Sequence, residues 1–146
     1  MSSSSKSSKA DAAAELLRRR RARSSLLDFC TYTIRDYETP PHIRLLAETL
    51  ERVECGEITR LIVEMPPRHG KSQLASEAFP CWCLGRHPDW SIVQAGYGES
   101  IALVHSRRAR DMFVSPEMSA LFPDVRYRPE RAGQQNILPE RQAAHE

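Results

Sequence analysis

Apolar residues follow two patterns along the chain, a helical repeat in its outer parts and two short, mainly apolar runs in its middle. Leucine and valine recur at every third or fourth position after Pro41, which predicts a helix with one core face, ended by Gly56. The runs at 61–65 and 90–95 have the length and β-branched content of buried strands. Further helices are predicted over about 11–29 and 99–113, with one more that begins near Lys71 and is kinked or ended by Pro80.

A tight turn separates the first apolar run from the helix that follows, and this turn ends in Gly-Lys-Ser. Backbone N–H groups of such a turn and of a helix N-terminus converge on phosphate oxygens, so the junction predicts a phosphate-binding loop. Gly70 lets the backbone approach closely, Lys71 reaches the β- and γ-phosphates, and the Ser72 hydroxyl ligates Mg²⁺. Met65 stands where the general motif has its first glycine, and an ordinary strand–turn–helix with an exposed lysine is the alternative. The loop residues predicted to bind the nucleotide are Pro67, Arg68, His69, Gly70, Lys71 and Ser72.

The elements through the middle of the chain follow the order strand, phosphate loop, helix, strand, loop, helix. Two successive βα units imply a parallel sheet with right-handed crossovers. The predicted fold class is therefore α/β, an incomplete RecA-like P-loop NTPase with a parallel sheet and an N-terminal helical arm. The predicted division is a disordered tail over 1–10, N-terminal helices over 11–57, a partial ATPase domain over 58–125 and an irregular tail over 126–146.

The segment 66–72, with the apolar run before it, resembles the phosphate loop of tailed-phage terminase large subunits, the motors that package viral DNA. Those proteins often lack the first glycine, as this chain does, and the similarity spans roughly residues 12–130. It implies ATP and Mg²⁺ as cofactors, Ser72 as the metal ligand, and Lys71 and Arg68 as catalytic residues. Arg68 would stabilise charge on the γ-phosphate in cis, the alternative being an arginine that points at solvent. The implied partners are double-stranded DNA, a portal, a small terminase subunit and a procapsid in the cytoplasm of the host cell, with homo-oligomerisation left open.

Tyr37 and His42 are the candidates for contacting adenine. In many nucleotide motors, terminases among them, an aromatic residue and a Pro-x-Gln-like element stand at this distance before the phosphate loop. His42, which follows two prolines, occupies the glutamine-like place in this chain. The alternative is that His42 caps its helix and that Tyr37 packs on the surface.

Several parts of a complete packaging motor have no counterpart in the chain. ATP hydrolysis needs an acidic residue at the end of a further apolar strand to hold Mg²⁺, and a glutamate that activates water. No apolar strand ending in such a pair follows Val93, nothing corresponds to the nuclease domain of terminases, and the resemblance ends near residues 129–133. We therefore expect the N-terminal part of a terminase large subunit, truncated as in a damaged prophage gene, that binds nucleotide weakly and hydrolyses it poorly or not at all.

Composition narrows the class of protein further. With 146 residues, of which 40% are hydrophobic and 27% charged, the chain has the material for one modest core. It contains no apolar run of about 18 residues, which argues against membrane insertion. Its serine-rich start lacks the apolar segment of a signal peptide, which argues against secretion. The four cysteines lack the spacing of a zinc site and are predicted to be buried and reduced.

Positive charge is concentrated at residues 18–23, which hold five arginines in six positions although the net charge is only +2. This arginine run either contacts DNA phosphates or forms a charged arm or a contact to a neighbouring subunit. Two other functions stay open. A small P-loop phosphotransferase would use Arg107, Arg108 and Arg110 as a phosphate-clamping lid, and a non-enzymatic remnant would bind nucleic acid through the arginine run.

Overall fold

The computed structural model describes residues 4–96, 98–127 and 139–141, and helices account for 64% of the described chain. Antiparallel pairing joins β1 (Val125–Tyr127) to β2 (Pro139–Arg141), the one β-ladder in these residues. None of the described helices is both long and apolar enough to cross a lipid bilayer. The helices are α1 (Ser4–Ser24), α2 (Leu26–Thr33), α3 (Pro41–Glu54), a π-helical segment (Gln73–Ala78) that runs directly into α4 (Phe79–Arg86), α5 (Glu99–Phe113) and α6 (Pro116–Leu121).

The predicted α/β fold with a RecA-like parallel sheet is wrong, because the described chain is mainly helical and has no parallel strand pair. The apolar runs at 61–65 and 90–95 form no β-ladder. A strand is held by hydrogen bonds to a neighbouring strand, and neither run has such a neighbour among the described residues. Part of each run therefore stays in solvent, with Ile62 87% and Val93 91% exposed. Val63 still packs against the helical core.

The hydrophobic core is built around α4, which is apolar on nearly every side and is therefore buried. Trp82 of this helix is only 1% exposed. The ring of Phe122 packs directly against Gly85 of this helix. A Cβ on Gly85 would lie only 2.5 Å from that ring, so a larger residue would not fit there. The surrounding helices contribute buried residues that include Phe29 of α2, Leu46 of α3, Phe113 of α5 and Leu121 of α6.

The predicted helices after Pro41 and over 99–113 are confirmed as α3 and α5, whereas the predicted helix over 11–29 is two helices. Gly56, just beyond α3, has the left-handed φ of +81° that is typical of a glycine after a helix. The break between α1 and α2 is stabilised from a distance, because Glu51 accepts the Leu26 N–H at 2.6 Å. Such a contact has no signature in the local sequence.

The predicted tails are only partly described. Residues 4–10, for which the sequence predicts disorder, belong to α1. Residues 1–3, 128–138 and 142–146 lie outside the described residues, so most of the irregular tail predicted over 126–146 does too. The described part of that tail contains β2 and the end of β1.

The helix after the predicted phosphate loop continues through Pro80, where the sequence predicts a kink or an end. Proline has no N–H, and its ring crowds the carbonyl four residues before it in an α-helix. The wider π turns ahead of Pro80 relax this crowding, and the Phe79 N–H donates to the Leu74 carbonyl, five residues back. The π-helical segment thus lies between the predicted phosphate loop and the core helix α4.

Candidate functional site

The predicted phosphate loop is a tight turn with two residues in the left-handed conformation, Arg68 (φ +64°) and Gly70 (φ +78°). Glycine populates this region freely, whereas for arginine it costs about 1 kcal/mol or more. The Gly70 carbonyl accepts the Leu74 N–H at 3.0 Å, so a helix starts directly after the loop. The amides between these two residues precede the first hydrogen bond within the helix, and they are therefore suited to an anion.

The loop packs against the first turn of α3. A Cβ on Gly70 would lie 3.0 Å from Ile43 Cδ1, so any larger residue would have to push Ile43 aside. The ring of His69 lies beside that of His42, with centroids 5.8 Å apart and planes at 63°. His69 Nδ1 donates to the Pro67 carbonyl at 2.9 Å, because a carbonyl can only accept. Nε2 is therefore the ring nitrogen of His69 that remains for a ligand.

An open cleft of about 510 Å³ lies between the loop and the turn that leads into α3. This volume is within the range of small-molecule sites, roughly 300–1,000 Å³. One wall comes from the loop and from the start of the π-helical segment, and the other comes from the turn before α3 and from its first residues. Residues predicted to contact phosphate and residues predicted to contact adenine thus line one cleft. They are Arg68, His69 and Gly70 on the loop side, and Tyr37 and His42 on the α3 side.

Of the two alternatives that the sequence left open, helix capping by His42 is excluded, while Tyr37 packs half-buried against the core. Tyr37 is half-buried and its hydroxyl is fully inside the protein, with no hydrogen-bond partner of good geometry and with the Cys30 thiol nearby. Burial raises the pKa of Tyr37 and raises that of Cys30 to about 12. His42 does not cap α3, because Pro40 is the N-cap residue and no side chain accepts a capping hydrogen bond there.

Lys71 and Ser72 do not line the cleft, although the sequence predicts phosphate and Mg²⁺ contacts for them. Both are half-buried and begin the helix that follows the loop. Pro67 is exposed and takes part only through its carbonyl contact with His69. In the part of the chain that the structure describes, no group of three or more His, Cys, Asp or Glu side chains is placed to hold a metal ion. Any metal at this loop would therefore depend on Ser72 and on oxygens of the ligand.

The arginines of α5 do not form the lid expected of a phosphotransferase. Arg108 pairs with the buried carboxylate of Glu77 at 3.3 Å, and Arg110 pairs with Asp111 at 3.4 Å. Neither of these arginines, nor Arg107, lines the cleft. The structure therefore brings no α5 arginine to the place where a phosphate-clamping lid would act.

The arginine run (residues 18–23) lies on α1 and is only partly neutralised. Glu15 pairs with Arg19 at 2.7 Å and with Arg18 at 3.7 Å. Arg20 and Arg21 are exposed and form no ion pair within the described residues. The run thus presents uncompensated positive charge on the exposed side of α1.

The turn before α3 contributes charged residues that the sequence did not single out. Arg35, Asp36 and Glu38 line the cleft next to Tyr37. Asp36 adopts a left-handed φ of +53°, which aspartate tolerates better than most residues. In the sequence, Arg35 and Asp36 stand directly before Tyr37, and two prolines follow at positions 40 and 41. A charged turn of this kind is the sequence signal that could have identified this wall of the cleft.

Comparisons of the chain with protein-family models, with curated proteins and with solved structures give no match. The functional assignment therefore rests on the geometry of the cleft and on the sequence resemblance of the loop.

Proposed function

We propose that the cleft binds ATP and that the chain serves as the N-terminal part of a terminase large subunit, the DNA-packaging ATPase of a tailed phage. The observation that carries the proposal is the meeting of Arg68, His69 and Gly70 with Tyr37 and His42 at one cleft. These two sets of residues are distant in sequence, and each is predicted for a different end of the same ligand.

The charges around the cleft give the ligand a direction. On the loop side, the guanidinium of Arg68, the ring of His69 and the amides at the helix start all suit phosphate oxygens. On the opposite wall, Asp36 and Glu38 outnumber Arg35, so this wall carries net negative charge that repels phosphate, and the carboxylates accept hydrogen bonds from hydroxyl or amino groups. The triphosphate therefore lies toward the loop, and the ribose and base lie toward α3.

The base side of the cleft combines apolar surface with a polar ring. Because the hydroxyl of Tyr37 is buried in the protein, what this residue offers a base is ring surface, which suits stacking. Pro40 and Ile34 extend the apolar surface, and His42 supplies a donor or an acceptor for a base edge. This arrangement accepts adenine without requiring a charged group at the base.

Lys71 and Ser72 do not line the cleft, and they would take part by turning their side chains toward the bound phosphates. Both follow Gly70 directly, so their side chains are within the reach of phosphates seated on the loop. Mg²⁺ is usually held by few protein ligands together with phosphate oxygens and water, so Ser72 suffices as the loop's own ligand. The bound ion would neutralise phosphate charge. Arg68, held left-handed next to the phosphates, would add positive charge in cis.

Photoaffinity labelling tests the placement of the base. The full chain is irradiated with Mg²⁺ and an azido-adenine ATP analogue, and the labelled peptides are identified by mass spectrometry. We expect the label within residues 34–43, lost when excess ATP competes and reduced in Tyr37→Ala. A label elsewhere, or one that excess ATP does not remove, would overturn the proposal.

A further inference from the structure

Glu77 is a buried carboxylate in the π-helical segment that the nucleotide site does not use directly. The residue is 5% exposed, and its Oε1 accepts a hydrogen bond from His105 Nδ1 at 2.8 Å and one from Arg108 Nη1 at 3.3 Å. Both partners belong to α5, one helical turn apart. A buried carboxylate is costly unless it is paired, and an apolar residue often fills such a place at no loss of stability. A carboxylate at position 77 is therefore better explained by the particular pairing that it makes with His105 and Arg108 than by stability alone.

The π-helical segment decides which side chains face the cleft. Leu74 is fully buried in the core, while Gln73 next to it lines the cleft. If the segment changed from π to α hydrogen bonding, the residues before it would turn by one position, about 100°, relative to α4. Leu74 would then leave the core, and Gln73, Ser72 and Lys71 would all point in new directions. The π turns thus fix the start of the helix relative to the loop.

We propose that Glu77 is a positioning residue for the phosphate site. By bonding His105 and Arg108, it anchors the π turns to α5 and so holds the start of the helix, with its free amides behind Gly70, in place at the loop. This inference rests on the proposed function of the cleft. The same contact couples α5 to the phosphate site, because a displacement of α5 would be transmitted to the loop through the Glu77 carboxylate.

A matched control for Glu77 exists at the other end of the molecule. Glu54 has a side chain that is 6% exposed, and its Oε1 bonds Arg86 at 2.8 Å and His87 at 2.6 Å. It therefore also joins one carboxylate to one arginine and one histidine, but it lies at the end of α3 farthest from the loop. Glu54→Gln removes the same kind of buried interaction without touching the π-helical segment.

The experiment compares Glu77→Gln and Glu54→Gln in the full chain, at a temperature where circular dichroism shows both to be folded. Amide hydrogen exchange over residues 71–78 should become about tenfold faster or more in Glu77→Gln and stay unchanged in Glu54→Gln. Affinity for an Mg²⁺–ATP analogue should fall about tenfold in Glu77→Gln alone. If Glu77→Gln does not fold, Arg108→Gln replaces it, because this partner is 64% exposed and its loss leaves the bond to His105.

The two readouts separate the inference from the proposed function. Equal exchange over residues 71–78 in both variants, or equal loss of affinity in both, would overturn the positioning role. Faster exchange in Glu77→Gln alone shows that the carboxylate holds the π turns, and a loss of affinity in the same variant alone shows that these turns position the phosphate site. Absence of nucleotide binding by the unmodified chain would overturn the proposed function of the cleft instead.

Discussion

The ring of His42 lies beside the ring of His69, with 5.8 Å between the centroids, although the rest of α3 and the first apolar run separate the two residues in sequence. Both rings line the cleft, and their contact joins the start of α3 to the predicted phosphate loop. Two sets of residues that the sequence predicts for different ends of a nucleotide thereby become neighbours. The predictions below follow from this arrangement.

Gly70 is needed both for the shape of the loop and for its contact with α3. Gly70→Ala places a Cβ at φ +78° and 3.0 Å from Ile43, so we expect the free energy of unfolding to fall by about 1–2 kcal/mol. Because the loop must shift, nucleotide affinity should fall as well. Urea unfolding and titration with a fluorescent ATP analogue measure the two effects.

Gly56 provides the control for this substitution. Its φ of +81° is nearly the same, but a Cβ there would meet nothing within 4 Å. Gly56→Ala should therefore lower the free energy of unfolding by about 1 kcal/mol without changing nucleotide affinity. If Gly56→Ala weakens binding as much as Gly70→Ala does, the loop has no special role.

Tyr37 should serve the ligand through its ring and not through its hydroxyl, which is buried without a partner. Tyr37→Phe removes an unsatisfied polar group, so stability should stay level or rise by up to about 1 kcal/mol, and nucleotide affinity should be kept. Tyr37→Ala removes the ring and should weaken binding severalfold. Thermal melts and the same titration report both results. A loss of affinity in Tyr37→Phe equal to that in Tyr37→Ala would show that the hydroxyl contacts the ligand.

The cysteines should differ in reactivity. Cys30, Cys81 and Cys83 are buried as predicted, whereas the same prediction is wrong for Cys55, which is exposed. Burial raises the pKa of Cys83 to about 12 from the ordinary value of 9.0, and it raises the pKa of Cys81 further. A thiol reagent at pH 8 should therefore modify Cys55 quickly and the other three only after unfolding. Rapid reaction of a second thiol in the folded chain would contradict this burial.

The same thiols should make stability depend on pH at the alkaline end. Because their pKa values are higher in the folded chain, the unfolded chain loses these protons first as the pH rises. Stability is fully present below the ordinary thiol pKa of 9.0 and falls as the pH rises toward about 12, the value for Cys30 and Cys83. Urea unfolding between pH 7 and pH 10.5 measures the trend, and Cys83→Ala should flatten it. A free energy of unfolding that stays constant across this interval would exclude the effect.

If the chain binds DNA through the arginine run, the binding should depend on arginines of the run that form no ion pair within the described residues, such as Arg20 and Arg21. Arg20→Ala with Arg21→Ala should lower the salt dependence of duplex binding by about two ion contacts, since each phosphate contact contributes a slope of about 0.9. Arg18→Ala with Arg19→Ala is the matched control, because Glu15 already pairs with these residues. Fluorescence anisotropy with duplex DNA at several salt concentrations gives the slopes. Equal slopes for both double variants would assign the run to another role.

Local features of this fold were predictable, and its long-range pairings were not. The confirmed helix α5 and the short helix α6, capped by Ser115 at the Met118 N–H, depend on spacing and caps within a few residues. The runs at 61–65 and 90–95 look like strands because they are short and β-branched, but a strand needs a partner, and composition does not reveal whether one exists. For this reason the predicted parallel sheet is wrong, while the helices after Pro41 and over 99–113 are confirmed.

The candidate site was predictable in its residue types and not in its geometry. Gly70 and the residues around it were evident from the motif, and Gly70 has a left-handed φ of +78°, which glycine adopts freely. The side chains of Lys71 and Ser72 lie outside the cleft, just ahead of the π turns that precede Pro80. Glu77 within those turns bonds His105 of α5, a partner that is distant in sequence and has no local sequence signal.

Titration of an Mg²⁺–ATP analogue into the full chain tests the central claim most directly, with Lys71→Ala and the exposed Lys9→Ala compared under the same conditions and phosphate release followed in the same samples. We predict saturable binding by the unmodified chain and by Lys9→Ala, a loss of at least about tenfold in affinity for Lys71→Ala, and phosphate release close to background. Equal affinity of all three chains, or no binding by any of them, would contradict the assignment of the cleft as a nucleotide site.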